Sequence, residues 1–192
     1  FEVHNLCALV VDVSRQEVLA YVGNSPTDLE HQKDVNIIHR PRSTGSILKP
    51  FLYASMLDSG ELLPQELVGD IPTQIGGYSP QNFENTYQGA VPADEALYRS
   101  LNIPFVLLLR QYGISRFYQQ LQKLQLQSIN RAPDHYGLSL ILGGAECTLW
   151  ELAQAYTYMA TTLNTFTRTG QYSAKGLPKL SYLKRNPEKE SL

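Results

Sequence analysis

The 192-residue chain is short of several things, and each shortage narrows what it can be. It has two cysteines, Cys7 and Cys147, 140 positions apart, which is too few for a disulfide-stapled scaffold. Cys7 sits in an apolar run and reads as a buried free thiol. Its four histidines, His4, His31, His39 and His135, are scattered with no ligand spacing and no cysteine pair beside them, so neither a metal nor a cofactor is expected. Charged residues make up only 18%, and sixteen basic against eighteen acidic side chains leave a net charge of -2. That balance lacks the basic surplus of a nucleic-acid binder. Uninterrupted aliphatic runs are short, Val106 to Leu109 being typical, so no bilayer-spanning helix is expected. The first residues, Phe1 to Asn5, lack the basic start and cleavage site of a signal peptide, and the chain reads as an excised piece or a mature fragment. What it does have is 43% hydrophobic residues, enough for a packed core.

Two β-branched runs, LCALVVDV (6–13) and EVLAYV (17–22), flank the turn Ser14-Arg15-Gln16 and predict a β-hairpin, with strands apolar enough on both faces to be covered by helices on each side. Residues 24–42 are polar and read as a loop. Apolar spacing predicts a helix from Ile47 to Leu57. The stretch 61–91, with Pro64, Pro72, Pro80 and several glycines, reads as a long turn-rich surface segment braced by Tyr78, Phe83 and Tyr87. Further helices are predicted over 92–98, over 104–112 with Gly113 as the stop, and after a Ser115 cap, where the glutamines between 119 and 127 read as a solvated face. Thr148-Leu149-Trp150-Glu151 is a capping box before an apolar run to Met159, and after Thr161 the chain reads as polar and turn-rich.

The chemistry concentrates in RPRSTGSILKP (40–50). Ser46 and Lys49 form an S-x-x-K tetrad, and positions i and i+3 share a helical face. A serine hydroxyl becomes a useful nucleophile when a neighbouring base takes its proton, and burial can bring a lysine amine toward the pKa that this needs. Pro50 is tolerated only in a first helical turn, which predicts Ser46 at a helix N-terminus, where free amides can stabilise an oxyanion. The residue before a proline is biased away from helix, and that counts against Lys49 as a helix residue. Four common residues in this pattern also arise by chance, as a serine cap beside an exposed lysine. Ser100-Leu101-Asn102, at a corner between two predicted helices, supplies a second element. The Ser100 hydroxyl could relay a proton, and the Asn102 amide could hold a substrate carbonyl.

With these two motifs and their flanks, the chain resembles the transpeptidase domain of bifunctional class A penicillin-binding proteins. RSTGSILKPFLYA resembles their nucleophile segment, ALYRSLNIPFV their second motif, and GYSPQNFENTYQG and LILGGAECTLWELAQAYTYMA the stretches between and after. The wording GSILKPFLYA is similar to the 1C type of that class. The resemblance covers residues 6 to 165.

It implies an α+β penicillin-binding/serine β-lactamase-like fold, an antiparallel sheet flanked by helices. It implies Ser46 as nucleophile, Lys49 as general base, Ser100 as proton relay and Asn102 as substrate ligand. The reaction would cross-link peptidoglycan stem peptides ending in D-Ala-D-Ala, and β-lactams would acylate the same serine. The resemblance implies no cofactor, no metal and no nucleic-acid partner. It places the domain at the extracytoplasmic face of the bacterial inner membrane, with membrane contact only through an N-terminal anchor of the parent protein. That anchor and a glycosyltransferase domain are not in this sequence.

The family's third motif, a K-T-G triplet on a strand, is not found. Arg168-Thr169-Gly170 follows the Trp150 helix too closely, and Lys175-Gly176 is no better. The 192 residues are therefore expected to be a partial transpeptidase domain with an incomplete site, weak or inactive alone. A sensor or scaffold module on the same fold is the alternative, and an acyl adduct without turnover would mark it.

Overall fold

The computed structural model describes residues 3–25, 31–32, 34–172, 176–177 and 179–182. In chain order the elements are β1 (Ala8–Asp12), β2 (Glu17–Val22), β3 (Arg42–Ser43), α1 (Lys49–Asp58), β4 (Leu67–Asp70) and β5 (Gly89–Pro92). There follow α2 (Ala93–Tyr98), α3 (Asn102–Tyr112), α4 (Ile114–Lys123), α5 (Pro133–Tyr136), a 3-10 segment (Gly137–Leu142), β6 (Glu146–Cys147), α6 (Leu149–Thr169) and β7 (Ser181–Tyr182). These belong to two compact units, one of residues 1–41, 124–126 and 147–192, the other of 42–123 and 127–146.

In the first unit the expected hairpin forms, β1 pairing antiparallel with β2 and β2 parallel with β7. Asp12 makes the turn: its Oδ1 accepts from the N–H of Ser14 (2.8 Å) and of Arg15 (3.0 Å), and Gln16 takes a left-handed φ of 59°. One face of the hairpin turns Val18 inward, and β1 packs on α6. The other face, with Ala8, Val10, Ala20 and Val22, is exposed, so the expectation of helices on both faces does not hold for the described residues. Cys7 is half-buried and Cys147 buried, both as free thiols. The capping box closes as predicted: Thr148 Oγ1 accepts from the Glu151 N–H at 3.1 Å, and the Glu151 carboxylate accepts from the Thr148 N–H at 2.9 Å. The helix behind it runs ten residues beyond Met159, so Arg168 and Thr169 are its last turn and Gly170 its left-handed cap.

The second unit is built around α3, whose Ile103, Phe105, Val106 and Leu109 are fully buried. It packs against α1, α2, α4, β4 and the 3-10 segment. Each such side chain contributes about 1.5–3 kcal/mol on burial, so this helix is the rigid element from which its first residue, Asn102, projects. The helix begins two residues earlier than predicted, and the next one includes Ser115 rather than being capped by it. The stretch 61–91 is not all turn: β4 and β5 pair antiparallel within it, from Leu67 opposite Pro92 to Asp70 opposite Gly89.

The chain leading to Ser46 is pinned from the 143–145 turn. Ser43 Oγ donates to the Gly143 carbonyl (2.8 Å) and the Thr44 N–H to the Ala145 carbonyl (3.0 Å). Gly143 has φ +102°, and a Cβ there would lie 2.6 Å from Ser43 Oγ and 2.9 Å from the Gly45 backbone. Gly143→Ala is therefore expected to lower stability by about 2 kcal/mol or more, through both backbone strain and the clash. Gly76→Ala, at φ +54° with nothing within 4 Å, should lose only about 1 kcal/mol. Urea unfolding of the two variants checks the difference.

Candidate active site

All four residues singled out in the sequence lie in the second unit. Ser46, Ser100 and Asn102 line one cleft of about 510 Å³, and Lys49 is buried against the latter two. Ser46 is not in a helix. It sits in a turn in which the Ile47 N–H donates to the Thr44 carbonyl and the Lys49 N–H to the Ser46 carbonyl, both at 3.1 Å, and the helix starts at Lys49 with Pro50 next. The proline thus does mark a first turn, but the serine precedes it by a full turn. Leu48, Phe51, Leu52 and Met56 bury the inner face of α1 and fix where Lys49 emerges.

Lys49 is 1% exposed. Its Nζ donates to the Ser100 carbonyl oxygen (2.8 Å), to Ser100 Oγ (3.2 Å) and to Asn102 Oδ1 (2.8 Å), and lies 5.6 Å from the Phe105 ring centre. No carboxylate among the described residues pairs with it, and none of the three bonds goes to Ser46. A buried ammonium with only neutral acceptors is disfavoured relative to the free amine, and burial lowers its pKa from 10.5 to about 8.

Ser100 follows the last turn of α2 at φ 54°, a left-handed conformation that a non-glycine residue adopts only when its surroundings hold it there. Here two atoms of Ser100 are held by one amine. The Asn102 amide is oriented by its partners: Oδ1 must face the donor Lys49, and Nδ2 donates to the Gln81 carbonyl at 2.8 Å.

Three features of this site escaped the sequence reading. Asn82 (4% exposed) and Asp70 (1% exposed) are buried polar groups joined by a 2.6 Å hydrogen bond behind Asn102. Asp70 had one legible signal: in L-V-G-D, Val68 and Asp70 alternate onto the same buried face of β4, but only for a reader who already takes 67–70 as a strand. Phe83, expected to brace the loop, is 97% exposed at the rim of the cleft. In the first unit, the Cys147 thiol is poorly suited to nucleophilic chemistry, since burial and then the Glu151 carboxylate push its pKa up to about 12.

Residues 6–173 match the family described as the penicillin-binding protein transpeptidase domain. The chain belongs to that family. Penicillin-binding protein 1C of Escherichia coli is 39% identical over 159 residues, 81% of this chain and 20% of that protein. Penicillin-binding protein 1B of Vibrio cholerae is 31% identical over 157 residues, 78% of this chain and 19% of that protein. The chain thus spans about a fifth of the length of these curated relatives. Among solved structures, penicillin-binding protein 1A from Haemophilus influenzae aligns at 27% identity and TM-score 0.66, over 80% of this chain and 23% of that one. PonA1 of Mycobacterium tuberculosis in complex with penicillin V aligns at 20% identity and TM-score 0.67, over 81% of this chain and 43% of that one, a likeness of fold. The transpeptidase domain therefore has the α+β penicillin-binding/β-lactamase-like fold.

The lowered Lys49 pKa has a measurable sign. Unfolded, the amine keeps its proton up to about 10.5; folded, it releases it at about 8. Between those values unfolding takes up a proton at Lys49, so the Lys49 contribution to stability should rise as pH climbs from 8 to 10.5, against the fall that Cys147 contributes above about 9. In pH-dependent urea unfolding, the stability of the unmutated chain minus that of Lys49→Met should therefore increase from pH 8 to 10.5. A carbon-13 titration of the Lys49 Cε should have its midpoint near 8.

Proposed function

We propose that this transpeptidase domain carries out acyl transfer on peptidoglycan stem peptides ending in D-Ala-D-Ala, through an ester on Ser46. Ser46 Oγ bonds to the carbonyl carbon of the penultimate D-Ala, the carbon–nitrogen bond to the terminal D-Ala breaks, and the serine proton passes by way of Lys49 and Ser100 to the leaving amine. The amine of a second stem peptide, or water, then attacks the ester and restores the hydroxyl. β-Lactams acylate Ser46 in the same way, as the penicillin complex of PonA1 suggests for the fold.

The observation that carries this reading is the set of acceptors around Lys49. The ammonium's three protons meet three oxygens. Two of these, the Ser100 carbonyl and Asn102 Oδ1, can only accept. The third is a hydroxyl, which can turn and donate. When the amine loses a proton, its lone pair is best satisfied facing Ser100 Oγ. The proton then enters and leaves through Ser100, and about a tenth of the amine is free at pH 7. Asn102 keeps one Nδ2 hydrogen for a substrate carbonyl, since only the other is used on Gln81.

The coverage of relatives and solved structures supports reading the chain as part of a larger transpeptidase domain. On this reading a parent protein with an N-terminal anchor holds it at the extracytoplasmic face of the inner membrane, and its partners are stem peptides and β-lactams. Among the described residues no helix is long and apolar enough to cross a membrane. No K-T-G strand occurs among the described residues: Arg168-Thr169-Gly170 ends α6, and Lys175 lies outside them.

The test is intact mass after incubation with a reactive β-lactam. One adduct per chain is expected, absent in Ser46→Ala, forming at least about 100-fold more slowly in Lys49→Met, and faster as pH rises through 8. An adduct that persists in Ser46→Ala would overturn the assignment, and so would the absence of an adduct both on this chain and on a longer one that carries the K-T-G strand. A β-lactam adduct on a chain that neither releases D-Ala from a D-Ala-D-Ala stem peptide nor transfers its acyl group to an added amine would identify a sensor instead.

A further inference from the structure

Asn82 stands outside both sequence motifs, yet the second motif is mounted on it. Its Oδ1 accepts from the backbone N–H of Asn102 (3.0 Å) and of Ile103 (3.3 Å), the first two residues of α3. Those amides have no acceptor inside their own helix, and the residue before it, Leu101, offers no capping side chain. Asn82 is therefore the cap of α3, supplied from twenty residues upstream. Its Nδ2 donates to Asp70 Oδ1 (2.6 Å) and to the Thr86 carbonyl (3.0 Å). Every capacity of the amide is filled, and only one orientation fits, because two partners can only donate and two can only accept. Asp70 is fixed in turn by the Gln88 N–H on its Oδ2 at 3.0 Å.

Two independent ties thus converge on Asn102. The neighbouring Gln81 carbonyl holds its side chain, Asn82 holds its backbone, and what remains is an Oδ1 aimed at Lys49. The same Asn82 also closes the turn that forms the outer rim of the cleft. Its carbonyl accepts from the Asn85 N–H at 3.0 Å, and its Nδ2 reaches Thr86, so Phe83 and Glu84 are presented at the cleft mouth.

We propose that Asn82 is a positioning residue of this site: capping α3 and anchored on Asp70, it sets Asn102 and, through it, the Lys49 amine against Ser100. Its kinetic consequence rests on the acyl transfer proposed above; its geometric consequence does not.

Asn82→Ala, Asn82→Asp and the double variant Asn82→Asp/Asp70→Asn separate positioning from mere space-filling. In Asn82→Asp an acceptor confronts the Asp70 carboxylate. In the double variant, the new Asn at position 70 offers a donor to the new acid and the acceptor for α3 is kept, while the Thr86 carbonyl loses its donor. Two signals are read in chains whose Phe117 and Leu140 resonances, elsewhere in the unit, stay at their parent positions. One is the NMR signature of the Lys49 side chain and the Asn102 side-chain amide, and the other is the rate of β-lactam adduct formation. The single variants are expected to displace the Lys49 and Asn102 resonances and slow the adduct about 10- to 100-fold, and the double variant to recover part of both. Should Asn82→Ala not fold, Asn82→Ser takes its place, its hydroxyl being too short to serve α3 and Asp70 together. Unmoved Lys49 and Asn102 resonances in a folded single variant, or a double variant no better than Asn82→Asp, would overturn the proposal. If neither this chain nor a longer one carrying the K-T-G strand forms an adduct, the acyl-transfer reading falls, while the resonances still decide the role of Asn82.

Discussion

A lysine amine that is removed from water and given no counter-ion sets the terms for the rest of the second unit. Burying a charge is strongly unfavourable unless it is paired or hydrogen-bonded, and Lys49 resolves this with oxygens alone. Each acceptor must then be held from behind, because a loose acceptor would let water in or let the amine swing out. Hence Asn102 heads the most deeply buried helix, Ser100 is fixed in the left-handed conformation, and the Phe105 ring closes the remaining side. Features that look separate in the list of elements, a helix start, a strained corner and a buried aromatic ring, answer one electrostatic demand.

The position of the nearest carboxylate within that network follows the same logic. A carboxylate in direct contact would favour the ammonium, raise its pKa and remove the base. Asp70 instead stands two amides away, beyond Asn82 and Asn102. There it can orient the chain of amides without pairing with the amine. The carboxylate serves the geometry, and the neutral amides carry that geometry to Lys49. This arrangement leaves burial as the dominant influence on the lysine, in agreement with the direction of its shift.

The sequence made the two motifs legible because their chemistry is local: a serine and a lysine three apart, a serine and an asparagine two apart. It also made legible the hairpin, whose turn Asp12 builds from adjacent amides, and the capping box at Thr148, where donor and acceptor sit three residues apart. What stayed hidden is held by distant partners. The pairing of β4 with β5 spans a proline- and glycine-rich loop, and its inward Asp70 makes sense only once Asn82 is folded against it. The helix after Ser46 begins at Lys49, two residues later than predicted, because Ser46 lies in a turn that starts at Thr44, itself bonded to Ala145 about a hundred residues on. The helix α6 outlasts its apolar run, since a capped helix with few breakers continues until a glycine such as Gly170 ends it.

The strain at Ser100 gives the clearest view of what this corner is for. Glycine would adopt φ 54° freely, and alanine would suffer the same strain as serine. A corner selected for stability alone would therefore carry glycine. Serine adds to the backbone only a hydroxyl, and that hydroxyl is the one acceptor of Lys49 able to reverse its role and donate. A strain of about 1 kcal/mol or more is retained where a stabilising substitution is easy, and it is retained together with the only atom around the amine through which a proton can pass in both directions. On the proposed reading that coincidence is the reason for the strain: the backbone is bent so that one residue can offer the amine a fixed carbonyl and a reversible hydroxyl at once.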